Sequence, residues 1–301
     1  MATPLAAPPA PAVRRRRYRP VEGVRPVGRS RRSAVLFNAV GLAFTIIMAF
    51  PVYWMINTAF KPPNEVTTFT PQFWPSHPTL SNFTSALRAQ NFVTDMKNSL
   101  IVTSCAVLAS LVIGFLGALA IARFRFYGKR AMILVILVVQ MVPFLALLIP
   151  LYLMLNGFHL TNSLTGITIV YLIIVLPYTV WMLRGFIVNI PRELDEAAMV
   201  DGCSRWQTFY RIILPLTGPG LVAASIYGFI QAWNEFIIIN TLNSPEKQNL
   251  MAWLASNQTL RGTAWGPLMA GATISALPVV VLFLIIQRHV ATGLTAGAVK
   301  G

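Results

Sequence analysis

The sequence predicts an all-α, polytopic membrane protein with six transmembrane helices and both termini in the cytoplasm. Three observations carry that prediction: an excess of apolar residues, long apolar runs, and a one-sided distribution of basic residues. Of the 301 residues, 55% are hydrophobic and only 11% charged, with a mean hydropathy of +0.63. Soluble domains carry about a quarter charged residues, so an apolar excess of this size exceeds what one soluble core can hide. A span needs roughly 20 apolar residues, because the hydrocarbon layer is about 30 Å thick and a helix rises about 1.5 Å per residue. Six runs meet that requirement, at roughly 34–59, 97–121, 131–155, 164–187, 217–240 and 267–289.

The orientation follows from Lys and Arg. Of 24 such residues, 19 fall in the N-terminal tail, the loops after the second and fourth runs, and the C-terminus; 5 fall on the other side. Basic residues are retained on the cytoplasmic side. Nine of them lie between Arg14 and Arg32. The net charge of +15 therefore reads as a topology signal drawn to anionic lipid, and not as a nucleic-acid arm. Residues 1–33 run proline-rich first and arginine-rich second, the reverse of a signal peptide. They are expected to form a disordered, uncleaved cytoplasmic tail. Residues 34–301 are expected to form one transmembrane domain, with no convincing internal repeat.

Taken in order, the first loop, Lys61 to Met96, is too polar to span. It holds Pro62, Pro63, Pro71, Pro75 and Pro78 with Phe69, Phe73 and Trp74. An ordered outer cap, available to a partner, is expected there. Pro51, Pro143, Pro177 and Pro278 lie inside the runs. Each removes a backbone donor and frees a carbonyl, which makes a kink that is either ordinary or part of a cavity wall. Cys105 and Cys203 have no pairing framework, and His77, His159 and His289 form no ligand cluster, so no metal site is expected.

The loop over about 190–215 carries the most specific pattern. Pro191 suits a first helical position, and Glu193, Asp195 and Glu196 place negative charge at the positive end of a helix dipole. Gly202 can take the left-handed conformation that ends a helix. Ser204 and Gln207 have capping-box spacing. Trp206, Phe209, Ile212 and Ile213 then fall mostly at helical steps, and Pro215 bends the chain into the fifth run. Two short helices with a hard turn are expected. Their apolar side lies on the membrane or docks into a groove of a soluble partner.

The order Glu196-Ala197-Ala198, Gly202, Ile212, Leu214-Pro215 resembles the signature of permease subunits in binding-protein-dependent ABC importers. Asn98-Ser99-Leu100, Ala122-Arg123-Phe124-Arg125-Phe126, Trp233-Asn234-Glu235-Phe236 and the stretch Gly293 to Gly301 are similar to the carbohydrate-uptake branch, closest to the second permease of maltose-type systems. Met251 to Leu254 and Pro267 to Ala270 carry a fainter resemblance to amino-sugar or oligosaccharide systems. The resemblance implies the ABC type I importer permease fold in a bacterial inner membrane. It implies that the loop is a coupling hairpin seated in an ATPase cleft, with Glu196, Ala197, Ala198, Asp201, Gly202, Leu214 and Pro215 as its coupling residues. It implies a second permease subunit, two ATP-binding subunits that hold ATP and Mg, an extracytoplasmic sugar-binding protein, and membrane lipid as partners. The chain has no Gly-x-x-x-x-Gly-Lys-Ser/Thr, so no nucleotide cofactor is expected in it and no catalytic residue is assigned.

Glu235 is the one acidic residue inside a predicted run, and an intramembrane carboxylate is a functional candidate. It could contact substrate, or reach headgroup water or a cation such as Arg261. Gln231, four residues earlier, shares its helical face, with Asn234 beside it. Gln140, Tyr171 and Tyr178 complete the candidate substrate pathway, since sugars are held by paired donors and acceptors and by aromatic faces. The alternative for these residues is interhelical hydrogen bonding. The alternative for the whole chain is an ion-driven secondary transporter or channel, which would need several intramembrane ionisable groups.

Overall fold

A computed structural model describes residues 31–259 and 262–298, with side chains over 35–258 and 262–287. The expected tail before Arg31, Arg261, and the side chains of Gly293 to Gly301 lie outside the described residues. By its contacts the chain divides into residues 1–51 and 52–301. Helix α1, Arg31–Phe60, runs through Pro51 without a break, and its residues 35–50 are mostly apolar and exposed throughout.

In the larger unit the first loop is an ordered cap. It holds α2, Pro63–Val66, and α3, Ser81–Arg88. Buried Asn82 donates to the carbonyls of Ala59 at 3.0 Å and Lys61 at 2.7 Å. Lys61 donates to the Gln72 carbonyl at 2.6 Å, and Glu65 accepts from the hydroxyl and the amide of Ser76. Those bonds hold the Glu65 carboxyl below its usual pKa.

After this cap come α4, Phe92–Arg123; the bent pair α5, Lys129–Met141, and α6, Leu148–Gly157; and α7, Leu164–Val188. Helices α4 and α7 form the central pair. Their approach is close because Gly114 faces Thr179: a Cβ there would stand 2.7 Å from the threonine methyl. Small residues let helix backbones meet in lipid, where burial alone gives little drive to associate. Phe115, Ala118, Ile121, Leu183 and Ile187 fill the cytoplasmic half of the contact.

The third apolar run is not one straight helix. Its two parts meet at 96°, with extended backbone at Val142 before Pro143. The residue before a proline is driven out of the helical region, so the break sits there. Pro51, Pro177 and Pro278 remain inside continuous helices.

After α7 come α8, Glu193–Val200, α9, Arg205–Thr208, and α10, Leu214–Leu216, joined to α9 by a π-turn over Phe209–Ile213. Helix α11, Gly218–Trp233, leaves at 66° to that segment. The fifth run, expected over 217–240, is interrupted: α11 stops at Trp233 and α12, Ile237–Leu242, starts afresh. Helix α13, Leu250–Ser256, and a two-stranded antiparallel pair, β1 at Gln258–Thr259 and β2 at Gly262–Thr263, lead into α14, Trp265–Ala298. Among the described residues four helices are long and apolar enough to cross a membrane, and the number rises to six if each bent pair is one span.

Candidate functional site

The hairpin is built from its caps. Pro191 precedes α8 and accepts from Leu194 through its carbonyl, so the helix begins two residues later than the sequence indicates. Its end is a left-handed turn: Gly202 has φ +87°, Cys203 N–H reaches the Ala198 carbonyl at 2.9 Å, and Gly202 N–H reaches Met199 at 3.1 Å. That pair of bonds satisfies carbonyls a helix end leaves open. The capping box of α9 is complete, with Ser204 Oγ accepting from Gln207 N–H at 3.2 Å and Gln207 Oε1 accepting from Ser204 N–H at 2.7 Å. Losing such a cap costs about 1 kcal/mol.

Pro215 does not make the bend. It lies inside α10, and with no N–H it cannot bond the Arg211 carbonyl. The chain widens into the π-turn just before it, where Leu214 N–H bonds Phe209. The turn into α11 comes at Thr217, fully buried, whose hydroxyl donates to the Ile213 carbonyl at 2.7 Å.

The apolar side of the second helix is partly covered by this chain itself. Phe209 packs edge-on against Phe115 at 5.4 Å and stacks on Trp206 at 4.7 Å, and Ile213 is buried. The surface that remains is formed by Glu196, Ala197, Asp201 and Gly202, all exposed, with Val200 at 87% exposure. Ala198 departs from its expected place: it is buried and turned into the fold. Leu214 is half-buried and Pro215 exposed.

Sequence reading missed how the hairpin is fastened. Arg123 Nε stands 2.9 Å from Asp195 Oδ2, and its NH1 donates to the Ile190 carbonyl at 3.0 Å. Arg192 reaches back to the Ala122 carbonyl at 3.3 Å. Burial pushes the Asp195 carboxyl up, and Arg123 opposes the shift without cancelling it.

The candidate pathway residues separate into groups. Glu235 occupies the break between α11 and α12. Its carboxylate accepts from Ile238 N–H at 2.9 Å and Ile239 N–H at 3.4 Å, and from the Tyr171 hydroxyl at 3.1 Å. Asn249, which the sequence did not single out, donates to the Glu235 carbonyl and, at 3.2 Å, to the Tyr171 oxygen. Its Oδ1 caps α13 through Ala252 N–H at 2.9 Å. Asn98 and Ser99 secure the same segment, bonding Gln248 at 2.9 Å and Leu250 at 2.8 Å. Because α11 ends before Glu235, Gln231 does not share its face. Gln231 donates to the Tyr227 hydroxyl at 3.0 Å, and Tyr227 stacks on Tyr178. Asn234 bonds its own helix at Ile230, and Gln140 bonds Ile136. Asp95 is a further buried carboxylate, on a spanning helix. It lies in the first turn of α4, and its Oδ1 has no partner among the described residues.

The comparisons agree with this geometry. Residues 110–295 match the family described as the inner membrane component of binding-protein-dependent transport systems. The chain is 44% identical over 265 residues to the diacetylchitobiose uptake system permease protein DasC of Streptomyces coelicolor, covering 88% of this chain and 96% of that one. It is 32% identical to the sulfoquinovosyl glycerol transport system permease protein SmoH of Agrobacterium fabrum, covering 84% and 89%. Among solved structures, a bacterial ABC transporter that imports alginate superposes with a TM-score of 0.73 over 86% of this chain and 97% of that one. At 22% identity that likeness establishes the fold, the ABC importer permease fold. The family is one of transport subunits and not of enzymes, and the chain belongs to it as a multi-pass inner membrane component of a binding-protein-dependent ABC importer.

Proposed function

We propose that the chain forms half of the translocation pathway of a sugar importer. A second permease subunit completes the pathway. Two separate ATP-binding subunits hold ATP and Mg, and an extracytoplasmic sugar-binding protein delivers the substrate. The observation that carries the coupling role is the exposed edge Glu196, Ala197, Asp201 and Gly202, presented by a helix whose other side is fastened to the end of α4. Glu196 and Asp201 offer charge to a basic cleft, and the absence of a Cβ at Gly202 permits the turn between the helices. Leu214 and Pro215, through the π-turn, set the path from the hairpin into α11.

The sugar class rests on the relatives, whose names speak of diacetylchitobiose, sulfoquinovosyl glycerol and arabinooligosaccharides. The cluster of Tyr178, Tyr227 and Gln231 supports it, since rings and amides of this kind hold the two sides of a pyranose. Tyr171, Glu235 and Asn249 set the outer end of the pathway by holding α12 and α13 against α7. The ion-driven reading is weaker, because the Glu235 carboxylate is engaged in capping α12.

Affinity purification of the chain from its own membranes, with uptake of labelled diacetylchitobiose measured alongside, tests the proposal. A second permease and an ATP-binding subunit are expected to come with it, and uptake is expected to require all three. A chain that purifies alone and transports without ATP would contradict the reading.

A further inference from the structure

The coupling hairpin packs on α4 at its root, Ile190, and in its second half, at Phe209 and Ile213, whereas α8 between them is attached to α4 by charge. Helix α8 has two faces. Asp195 and Ala198 turn inward, and Glu196, Ala197 and Val200 turn outward. Beneath α8, lined by Leu119, Arg123, Asp195, Met199 and Arg205, lies a cavity of about 240 Å³. Across that void an apolar contact cannot hold the helix to the span. The polar bonds can, and they run both ways: Arg123 of α4 reaches Asp195 and the Ile190 carbonyl, and Arg192 reaches back to Ala122. The second half of the hairpin meets α4 beside the same cavity, where Phe209 packs on Phe115 and Ile213 is buried.

We infer that Arg123 and Asp195 are the joint through which displacement of the hairpin reaches α4. They are positioning residues that act through the hairpin, and the inference rests on the coupling role given above to residues 193–216. A packed surface resists a pull only in proportion to the apolar area it buries. An ion pair between two helices also transmits a pull, as a cycle of outward and inward turning requires. Because Asp195 immediately precedes Glu196 on one rigid turn, movement imposed on the outer face moves the joint with it.

The test uses the complete transporter with its partner subunits and binding protein. Arg123→Asp, Asp195→Arg, their combination, and the isosteric Asp195→Asn are compared by subunit stoichiometry, stimulated ATP hydrolysis and sugar taken up per ATP. The single charge reversals are expected to assemble and to lose about tenfold in uptake per ATP, the scale on which residues between coupled sites act. The exchanged pair is expected to recover most of that loss. Unchanged uptake per ATP in the single variants, or no recovery in an assembled exchange variant, would overturn the joint. Should the reversals fail to assemble, Asp195→Asn decides: assembly with lowered uptake per ATP supports the joint, and normal uptake per ATP or lost assembly refutes it. Gly202→Asp run in parallel separates the two readings. If it too leaves uptake per ATP unchanged, the coupling role of the hairpin falls; if it alone uncouples, only the joint falls.

Discussion

Glu235 shows how a single residue's chemistry depends on where the chain breaks. In a continuous helix its carboxylate would project from the fifth span. At the break it takes the first amides of α12 and the Tyr171 hydroxyl. A negative charge at a helix N-terminus is favourable there, and amides in lipid need a partner. Tyr171→Phe removes the bonds to Glu235 and Asn249 with little volume, so it is expected to cost about 1–3 kcal/mol, the price of leaving buried partners unmet. Faster hydrogen exchange over 237–256 with unchanged substrate affinity would agree. Unchanged exchange with weakened sugar binding would instead make Tyr171 a substrate contact. Glu65 offers a test of the outer cap. Its folded pKa lies below the ordinary 4.5, so its stabilisation is full above that value and is lost as pH falls through the lower folded one. Exchange over 65–76 is expected to quicken in that acid window, and Glu65→Gln is expected to remove the pH dependence. A Gln variant that kept the same profile would assign it to another group.

At the level of elements, what the sequence made legible was local chemistry. Gly202, Ser204 and Gln207 specify the hairpin turn and its second helix, because caps involve residues a few positions apart. The breaks were less legible. Of Pro51, Pro143, Pro177 and Pro278, only Pro143 interrupts a helix, since neighbouring elements decide whether freed backbone groups are satisfied. The bend at Thr217 is followed directly by Gly218 and Pro219, whereas the stop at Trp233 has no proline or glycine beside it. Trp233 is fixed by a distant partner, the Ser275 carbonyl at 3.2 Å. Arg123 and Asp195 lie far apart in sequence, and one chain gives no sign that they meet. The inward turn of Ala198 was not legible, because a signature gives residue types and spacing, not the inward or outward sense of each position.

For the whole molecule, the orientation rests on the basic residues. Labelling single-cysteine variants, in a background lacking Cys105 and Cys203, with an impermeant reagent on intact cells checks it. Cysteines at Thr70 and Ser256 are expected to react, and cysteines at Lys129 and Arg205 to be protected; a labelled Lys129→Cys would invert the topology. Removal of residues 1–29 is expected to leave transport intact, since that segment has no apolar pattern to pack. A truncated chain that inserts normally but loses uptake would show otherwise.

The central claim is that this transport subunit receives its driving force through the exposed edge of the hairpin. The direct measurement is binding-protein-stimulated ATP hydrolysis and sugar uptake by the reconstituted transporter carrying Gly202→Asp or Glu196→Lys. Gly202 has open space around it, so an aspartate meets no clash there. It adds about 1 kcal/mol of left-handed strain and a second charge beside Asp201. Glu196→Lys would present a like charge to the proposed basic cleft, a clash expected to cost several kcal/mol. Both variants are expected to insert normally and to lose uptake, with the ATPase either weakly held or hydrolysing ATP without response to the binding protein. Full uptake with normal ATPase stoichiometry in both would contradict the account.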